Sequence, residues 1–264
     1  MFKKILAKKS NFILKKREIR EVIDIFENNK NKNLNYLVKK RFEWMQNFIS
    51  YEDIGIEVGA AVGFSKYFLK CKKLEISDCT NEKHLDLKNI NAQKTDLKSN
   101  TYDFIVASNM LHHLSSPILF IREMNRILKK NGKLIIFEPN LSAIYQIITF
   151  ITKHEGFDFT KDVWDENISQ KNNDDPWDSN QAVQHMLFDD KERFYKETNN
   201  IFRIIHDDYS ECLIFLNSGG IYSKSFYISM NNFFLKICDF IDKILIKLSP
   251  DLFALGRKIV LVKN

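Results

Sequence analysis

The sequence predicts an α/β fold in which helices cover both faces of a mainly parallel sheet. Two observations lead to this fold class. From Ile54 onward, short apolar runs alternate with segments of helical periodicity, which is the pattern of successive strand–helix–strand units. The chain of 264 residues is also 44% apolar, which suffices for one large core with an elaborated insertion.

Helices are predicted to precede the sheet. Residues 1–50 place apolar side chains at three- and four-residue spacing, which predicts two helices separated by the Asn/Lys-rich residues 28–33. We therefore expect a helical arm or cap over residues 1–50 and a second domain over residues 51–264. The strands predicted in that domain are Ile54–Val58, Lys73–Ser77, Phe104–Ala107, Lys133–Phe137, Phe202–His206 and Lys258–Val262.

The alternation is lost between residues 140 and 199, which hold two of the three tryptophans and a polar run at 169–179. A long irregular insertion in an α/β domain is usually a lid or a substrate-recognition element. We expect such a lid-like insertion before the sixth strand. Within it, Phe157, Trp164 and Trp177 either stack on a sugar ring or nucleobase or pack inside the insertion.

Basic charge is concentrated near the N-terminus. Residues 1–43 contain 13 Lys and Arg against 5 Asp and Glu, whereas the net charge of the whole chain is +6. The remainder is close to neutral, which argues against an enzyme whose whole active face binds nucleic acid. For the arm itself we favour a solvated basic helix that caps the domain, with a peripheral membrane contact as the alternative.

The sequence shows no segment that we would expect to direct the chain out of the cytoplasm. No apolar segment has the length of a signal-peptide core or the roughly 18 residues of a membrane span. The four cysteines lack the spacing of a zinc site or a disulfide framework, and we interpret them as reduced thiols. We therefore expect a cytoplasmic protein, and a dimer is compatible with the sequence.

The sharpest motif is the segment Glu57–Gly63, which has glycines at positions 59 and 63. It lies between a predicted strand and a helix, where open α/β sheets bind ligands and where the backbone has to approach the ligand closely. The spacing E-x-G-x-A-x-G differs from the G-x-G-x-x-G of dinucleotide-binding proteins, which argues against an NAD-type oxidoreductase. Ala61 replaces a middle glycine, and its methyl group is tolerated if its φ angle is negative.

Further motifs follow in a fixed order. Asp78 ends the second strand, where a carboxylate can accept both ribose hydroxyls of an adenosine. Asn91, followed by Ala92, comes next along the chain. Residues 108–114 form the loop after the fourth strand, and residues 126–139 lead through a fifth strand that ends in Glu-Pro. Together with the glycine loop, these motifs resemble those of class I S-adenosylmethionine-dependent methyltransferases.

This resemblance implies a Rossmann-like, seven-stranded, mostly parallel sheet and S-adenosylmethionine as the cofactor. It also implies that the Asn91 side chain meets the adenine amino group and that the loop after the fourth strand lines the methionine end of the cofactor. The cofactor-binding residues that we predict on this basis are Glu57, Val58, Gly59, Ala60, Ala61, Gly63, Asp78, Asn91, Ala92, Asn109 and Met110.

Four segments resemble a subgroup of methyltransferases found in bacterial capsule and lipopolysaccharide gene clusters: residues 56–66, 154–158, 179–182 and 218–220. The resemblance implies an enzyme that O-methylates a sugar or an activated precursor in surface-polysaccharide biosynthesis, with a small molecule or glycan precursor as acceptor. Methylation of a phosphate- or nitrogen-linked capsule precursor stays open as an alternative. So does a non-catalytic regulatory protein that binds S-adenosylmethionine.

A histidine is the natural candidate for the general base. A sugar hydroxyl loses its proton as it attacks the methyl group, so a base with a near-neutral pKa assists the reaction. His112 and His113 follow the fourth strand, close to the expected position of the methyl group. His154 lies in the insertion with Glu155 to orient it, and His185 is a further candidate.

A bound metal is the alternative to a protein base. The ligands would be His154, Glu155, Asp158 and His185, since carboxylate oxygens suit magnesium. These residues do not share the ligand spacing of one helix. We therefore predict a site without a metal.

Overall fold

A six-stranded sheet runs through the centre of the protein, in a computed structural model that describes residues 2–6, 18–153, 155–172, 175 and 178–264. The strands are β1 Lys4–Ile5, β2 Ile54–Val58, β3 Lys73–Ser77, β4 Tyr102–Ser108, β5 Leu128–Pro139, β6 Phe157–Asp158, β7 Phe202–Ser210 and β8 Gly256–Lys263. The helices are α1 Ile19–Glu27, α2 Lys32–Glu43, α3 Ser65–Phe68, α4 Pro117–Ile127, α5 Ala143–Thr152, α6 Val183–Phe188, α7 Lys191–Glu197, α8 Leu213–Leu216, α9 Asn232–Leu248 and α10 Pro250–Phe253. Among these described helices, none combines the length and apolar character needed to cross a membrane.

The strand order of the central sheet is β3-β2-β4-β5-β8-β7. The first four strands pair in parallel, and β8 lies antiparallel between β5 and β7. The predicted α/β class with a mostly parallel sheet is confirmed. Because the connection reverses direction between β2 and β4, the loops after these two strands open onto one crevice at their carboxyl ends.

The seventh strand implied by the family resemblance is not confirmed, since the described residues place six strands in this sheet. After β3 the chain makes an isolated parallel bridge between Ser77 and Leu87. The Asp86 carboxylate accepts the peptide N–H of Ile76 at 2.8 Å. A side chain therefore occupies an edge position that a further strand would otherwise pair.

Alternate residues of β4 belong to different cores. Phe104 and Val106 pack with apolar residues of α1 and α2, whereas Ile105 and Ala107 pack with apolar residues of α4. The two N-terminal helices therefore cover one face of the sheet. They shield the apolar side chains on that face from solvent.

The first residues depart from the predicted helix. Lys4–Ile5 forms β1, which pairs antiparallel with β6 at Phe157–Asp158. The Lys4 ammonium also lies 2.6 Å from the Asp158 carboxylate. The helix prediction is wrong at these two residues, because strand pairing and an ion pair with the insertion stabilise an extended chain. The basic residues between 7 and 17 lie outside the described residues.

The insertion over residues 140–199 packs against the sheet. Apolar side chains of α6 and α7 join the same core as β4 and α4. Trp164 is 8% exposed and Phe157 is 1% exposed, so both rings pack in the interior rather than face a sugar. Trp177 lies outside the described residues, and a lid role for the insertion stays a prediction.

Candidate active site

The loop after β2 turns at two glycines. Gly59 has φ +65° and Gly63 has φ +75°, and this left-handed region favours glycine. A Cβ atom on Gly59 would lie 2.9 Å from Cβ of Met110, and one on Gly63 would lie 2.5 Å from Cδ1 of Ile76. Backbone conformation and packing therefore both require glycine, and the loop passes close to the strands beside it.

Ala61 adopts φ +46°, so the expectation of a negative φ at this position is wrong. The left-handed conformation costs an L-residue about 1 kcal/mol. Two contacts hold it: the Ala61 N–H donates to the Asp78 carboxylate at 2.9 Å, and the Ala61 carbonyl lies 2.6 Å from Nε2 of His84. Asp78 thus fixes the loop from the position where the ribose hydroxyls are expected.

Glu57 lies beneath the loop and is only 2% exposed. The Ser65 hydroxyl donates a hydrogen bond to its carboxylate. Burial raises the pKa of Glu57 to about 8, and the Ser65 hydrogen bond offsets this only in part. The carboxyl is therefore mostly protonated near neutral pH, and a cation bound beside it would favour the ionised form.

The remaining predicted cofactor residues differ in accessibility. Val58, Ala60 and Ala92 are buried. Asn91 is exposed, and its side-chain oxygen accepts the peptide N–H of Gln93 at 3.0 Å. Asn91 is therefore held in a local turn, and its contact with an adenine stays a prediction.

A carboxylate from β5 holds the loop that follows β4. Glu138 Oε1 accepts the peptide N–H groups of Met110 and Leu111, both at 2.8 Å. Its Oε2 pairs with Nδ1 of His112. Asn109, with φ +54°, donates its peptide N–H to a β5 carbonyl at 2.7 Å. One buried side chain thus fixes both the backbone of this loop and the imidazole of His112.

The two histidines of the loop differ in their pKa values. Burial lowers the pKa of His112, but the Glu138 carboxylate outweighs burial, and the pKa is raised overall. Burial, followed by the charge of His112, lowers the pKa of His113 to about 4. His113 is therefore neutral at pH 7, with Nδ1 lying 3.2 Å from the carbonyl oxygen of Asp178. Of the two, His112 is the histidine that can take up a proton beside a carboxylate.

The insertion reaches His112 on the other side of its ring. Glu155 Oε2 lies 4.0 Å from His112 Nε2, and the Gln181 amide donates a hydrogen bond to the Glu155 carboxylate. The Asn180 N–H donates to the carbonyl of His112 at 2.8 Å. His154, which the sequence placed beside Glu155 as a base, lies outside the described residues.

A metal could be held by a different set from the one considered in the sequence. Among the described residues, the donor atoms of His112, His113 and Glu155 lie within 4.8 Å of one another. Two imidazoles and one carboxylate suit a first-row transition ion better than magnesium. Asp158 is instead engaged with Lys4 at 2.6 Å.

His185 makes contacts through both ring nitrogens. Its Nε2 accepts the peptide N–H of Leu141 at 3.1 Å, and its Nδ1 lies 2.9 Å from the Asp189 carboxylate. These contacts tie α6 to the chain just before α5. Because both nitrogens are occupied, the geometry favours His112 over His185 as a base.

Tyr222 is a site residue that the sequence analysis missed. It follows a turn at Gly219-Gly220, where both residues have positive φ, and packs in the cluster that contains Val62. Burial, followed by the charges of Asp78 and Glu57, raises the pKa of Tyr222, and the peptide N–H of Val62 hydrogen-bonds to the hydroxyl. A tyrosine in a loop far along the chain gives no sequence signal, apart from the preceding Ser-Gly-Gly turn.

Comparisons with known proteins agree with this geometry. Residues 51–136 match a family described as a methyltransferase domain. The fold is similar to that of a SAM-dependent methyltransferase from Archaeoglobus fulgidus, with a TM-score of 0.52 and 15% identity over 86% of this chain and 93% of that chain. No curated protein matches the sequence.

A second similar structure is that of geranyl diphosphate C-methyltransferase from Streptomyces coelicolor A3(2). Its crystal structure contains Mg²⁺, geranyl-S-thiolodiphosphate and S-adenosyl-L-homocysteine. The TM-score is 0.44, with 8% identity over 86% of this chain and 75% of that chain.

The likeness to the Archaeoglobus structure shows the fold, and the matched segment contains every predicted cofactor residue. The glycine loop, Asp78 and the His112 loop meet at the carboxyl ends of β2, β3 and β4. Residues 51–136 thus match a methyltransferase domain, and the candidate site lies within and beside that segment.

Proposed function

We propose that the protein transfers a methyl group from S-adenosylmethionine to a hydroxyl of a sugar or an activated glycan precursor in bacterial surface-polysaccharide biosynthesis, with His112 as the general base. The observation that carries this proposal is the buried Glu138–His112 pair. His112 is two residues from Met110, whose side chain packs against Gly59 of the glycine loop. A base is thereby placed beside the loop that would hold the methyl donor.

The residues of the crevice fit the cofactor. S-adenosylmethionine supplies a methyl group on a positively charged sulfur, which is the electrophile of the reaction. The loop Gly59–Gly63 would provide backbone groups, and Asp78 would accept the ribose hydroxyls. Glu57 of β2 and the Tyr222 hydroxyl, which the Val62 N–H contacts, lie beside this loop and would complete the surroundings of the cofactor. The absence of Cβ atoms at the two glycines leaves room for Met110 and Ile76, so the loop lies close against the neighbouring strands.

The chemistry of His112 follows from its partners. Glu138 holds Nδ1, so Nε2 is the nitrogen that can accept the proton of an acceptor hydroxyl. The resulting imidazolium is stabilised by Glu138 and by Glu155, 4.0 Å from Nε2. This arrangement of a base oriented by a buried carboxylate is the same division of roles as in a catalytic triad. His113, with a pKa of about 4, is too weak a base to compete at neutral pH.

The surface-polysaccharide acceptor is supported by the sequence resemblance. Two of the four segments that carry it, residues 154–158 and 179–182, supply Glu155, which lies 4.0 Å from His112 Nε2, and Gln181, which donates a hydrogen bond to Glu155. We infer that the insertion forms the acceptor side of the pocket. The free cysteines support a cytoplasmic location, because a reducing compartment keeps thiols unpaired.

Two measurements, made one after the other, test this proposal. Calorimetric titration with S-adenosylhomocysteine should show binding, and its absence at high micromolar concentration would exclude the methyltransferase. Incubation with methyl-labelled cofactor and a panel of nucleotide sugars and glycan-precursor phosphates should then label a sugar hydroxyl. Label on nitrogen or phosphate would show that the acceptor is not a sugar hydroxyl. Binding of S-adenosylhomocysteine without any methyl transfer would favour the regulatory alternative.

A further inference from the structure

One face of α9 is apolar although it points to solvent. Its side chains recur every three or four residues, so they form a single stripe along the helix. This stripe, which we name the α9 face, consists of Phe233, Phe234, Ile237, Phe240, Ile241, Ile244 and Leu248, which are 37–73% exposed. Leu235 and Asp242 lie on the opposite, buried face. An exposed apolar patch of this kind marks an interaction site.

The orientation of α9 is fixed by hydrogen bonds. The Asp242 carboxylate accepts the peptide N–H groups of Cys212, Leu213 and Ile214 at 3.0, 2.7 and 3.3 Å. These bonds satisfy the first N–H groups of α8 and hold the buried face of α9 against it. Turning the apolar stripe inward would break all three bonds, so its exposure belongs to the folded state.

Lysines line one flank of the α9 face. Lys236, Lys243 and Lys247 are exposed, and their separations of seven and four residues put them on the same side of the helix. The carboxylate of Asp239 is balanced by Lys40 at 3.1 Å and by Lys243 at 3.3 Å. A basic flank beside an apolar stripe is the arrangement of a helix that lies in the interface of an anionic bilayer.

A second exposed apolar surface lies near the first. Ile147, Phe150 and Ile151 of α5 are 52–73% exposed. α10 packs against both α5 and α9, and it adds exposed Leu252 together with the exposed carboxylate Asp251. The apolar surface therefore extends beyond one helix, with a charged residue between its two parts.

The basic N-terminal residues begin at this second surface. The ring of Phe2 stacks on Phe150 with 5.5 Å between centroids, and the Phe2 N–H donates to Gln146 at 3.1 Å. The chain that continues from this point carries the positive excess of residues 1–43.

We propose that the α9 face binds the surface of an anionic lipid bilayer. Its Phe and Ile side chains enter the boundary between headgroups and acyl chains, while the flanking lysines contact headgroup phosphates. A folded protein partner agrees less well with the observations, because lysine is depleted from protein interfaces and a helix ridge offers no groove. This proposal does not depend on the proposed methyl acceptor.

Sedimentation of the full chain with lipid vesicles tests the proposal. The protein should bind vesicles that contain phosphatidylglycerol and bind those of phosphatidylcholine alone more weakly. Phe233→Ser/Phe240→Ser should lower the partition coefficient by about tenfold or more. The matched control Tyr51→Ser/Ile168→Ser removes exposed apolar residues outside the α9 face and should bind as the unaltered protein does.

A second pair of variants tests the charge. Lys236→Gln/Lys247→Gln should weaken binding to the anionic vesicles by about tenfold. Lys72→Gln/Lys98→Gln makes the same change in net charge at exposed positions away from α9 and should have little effect. All variants should bind S-adenosylhomocysteine as the unaltered protein does, which separates this proposal from the proposed function and reports folding.

Three outcomes would overturn the proposal. The first is no binding to anionic vesicles. The second is binding that survives in Phe233→Ser/Phe240→Ser but is lost when the lysines at 8, 9, 15 and 16 are replaced by glutamine, which would assign the contact to the arm. The third is a dimer in solution that Phe233→Ser/Phe240→Ser dissociates, which would assign the α9 face to a second copy of the chain.

Discussion

Along the glycine loop, most hydrogen bonds come from one short stretch of chain, residues 57–84, and many of them involve the backbone. Around His112, the contacts are made by side chains from distant parts of the sequence: Glu138 from β5, and Glu155 and Gln181 from the insertion. The first region is fixed by conformation and close packing. The second is fixed by buried hydrogen bonds and charge.

This difference predicts that the two regions can be impaired separately. Substitutions in the glycine loop should weaken cofactor binding, whereas substitutions around His112 should slow transfer and leave cofactor binding intact. A single variant that impairs both to the same degree would show that the regions act as one unit.

His112→Gln should have the largest effect. Loss of a positioned general base lowers kcat by about 10²–10⁴-fold. The affinity for S-adenosylhomocysteine should stay within about threefold, because the imidazole is not a predicted cofactor contact and Glu138 still holds the backbone of Met110 in the same loop. Labelled transfer to the acceptor found in the panel gives kcat, and calorimetry gives the affinity.

His185→Gln is the matched control for that variant. It removes an imidazole whose two nitrogens are engaged within the protein, so it should lower stability and retain most of the transfer rate. Full turnover by His112→Gln would contradict the base assignment and leave catalysis to positioning. Loss of transfer in a chelator, restored by zinc, would instead identify His112, His113 and Glu155 as metal ligands.

Gly59→Ala should weaken S-adenosylhomocysteine binding by about 10–100-fold, since the new methyl group strains a left-handed residue and displaces the loop. Its Cβ would meet Cβ of Met110 at 2.9 Å, and the residue would keep φ +65°. Gly132→Ala is the control, because Gly132 lies outside the glycine loop and its added Cβ would also be crowded, at 2.8 Å from the Lys129 carbonyl oxygen. Equal losses of affinity in both variants would show a general effect of destabilisation.

Glu138→Gln should lower kcat by about 10–100-fold, because it removes the group that orients His112. It should also shift the pH–rate profile of methyl transfer. The base acts when neutral, so the rate rises as pH passes through the pKa of His112, and Glu138 holds that pKa above its ordinary value. Without the carboxylate, the rising limb should shift to lower pH.

Glu123→Gln provides the control for the pH profile. It removes a carboxylate that pairs with Arg126 at 2.6 Å and accepts the peptide N–H of Thr95 at 2.7 Å. Its pH–rate profile should overlay that of the unaltered protein. If the rising limb of the pH–rate profile does not shift in Glu138→Gln, the group that titrates is not His112.

The sequence predicted the β2–β4 region well, for a physical reason. Each of the six predicted strands lies within an observed strand, since apolar runs bounded by polar residues report burial directly. The glycine loop was found because glycine spacing is a local constraint. The seventh strand was not confirmed, since pairing at the sheet edge depends on whether a side chain such as Asp86 takes the edge position.

The His112 pocket was predicted only in part. His112 was a candidate because it follows the fourth strand, but its partner Glu138 was noted only as a strand end. Adjacent parallel strands end side by side, so a carboxylate ending β5 beside the loop after β4 was a usable signal. Gln181 and the turn before Tyr222 lay in segments noted only for the family resemblance, and their contacts were not predicted, because long-range contacts between loops leave no periodicity in the sequence.

Ala61→Gly should have the smallest effect, and it examines the one position in the glycine loop where conformation and residue type disagree. Relief of the left-handed strain exceeds the added entropy of the unfolded chain by a small margin, so the free energy of unfolding should rise by about 0.5–1 kcal/mol. This corresponds to about 1–4 °C in Tm, measured by thermal denaturation. Ala60→Gly is the matched control: its φ is not positive, and it should destabilise the protein. Equal destabilisation of both variants would contradict this prediction. It would mean that packing of the Ala61 methyl group stabilises the loop as much as the backbone hydrogen bonds of Ala61 with Asp78 and His84 do.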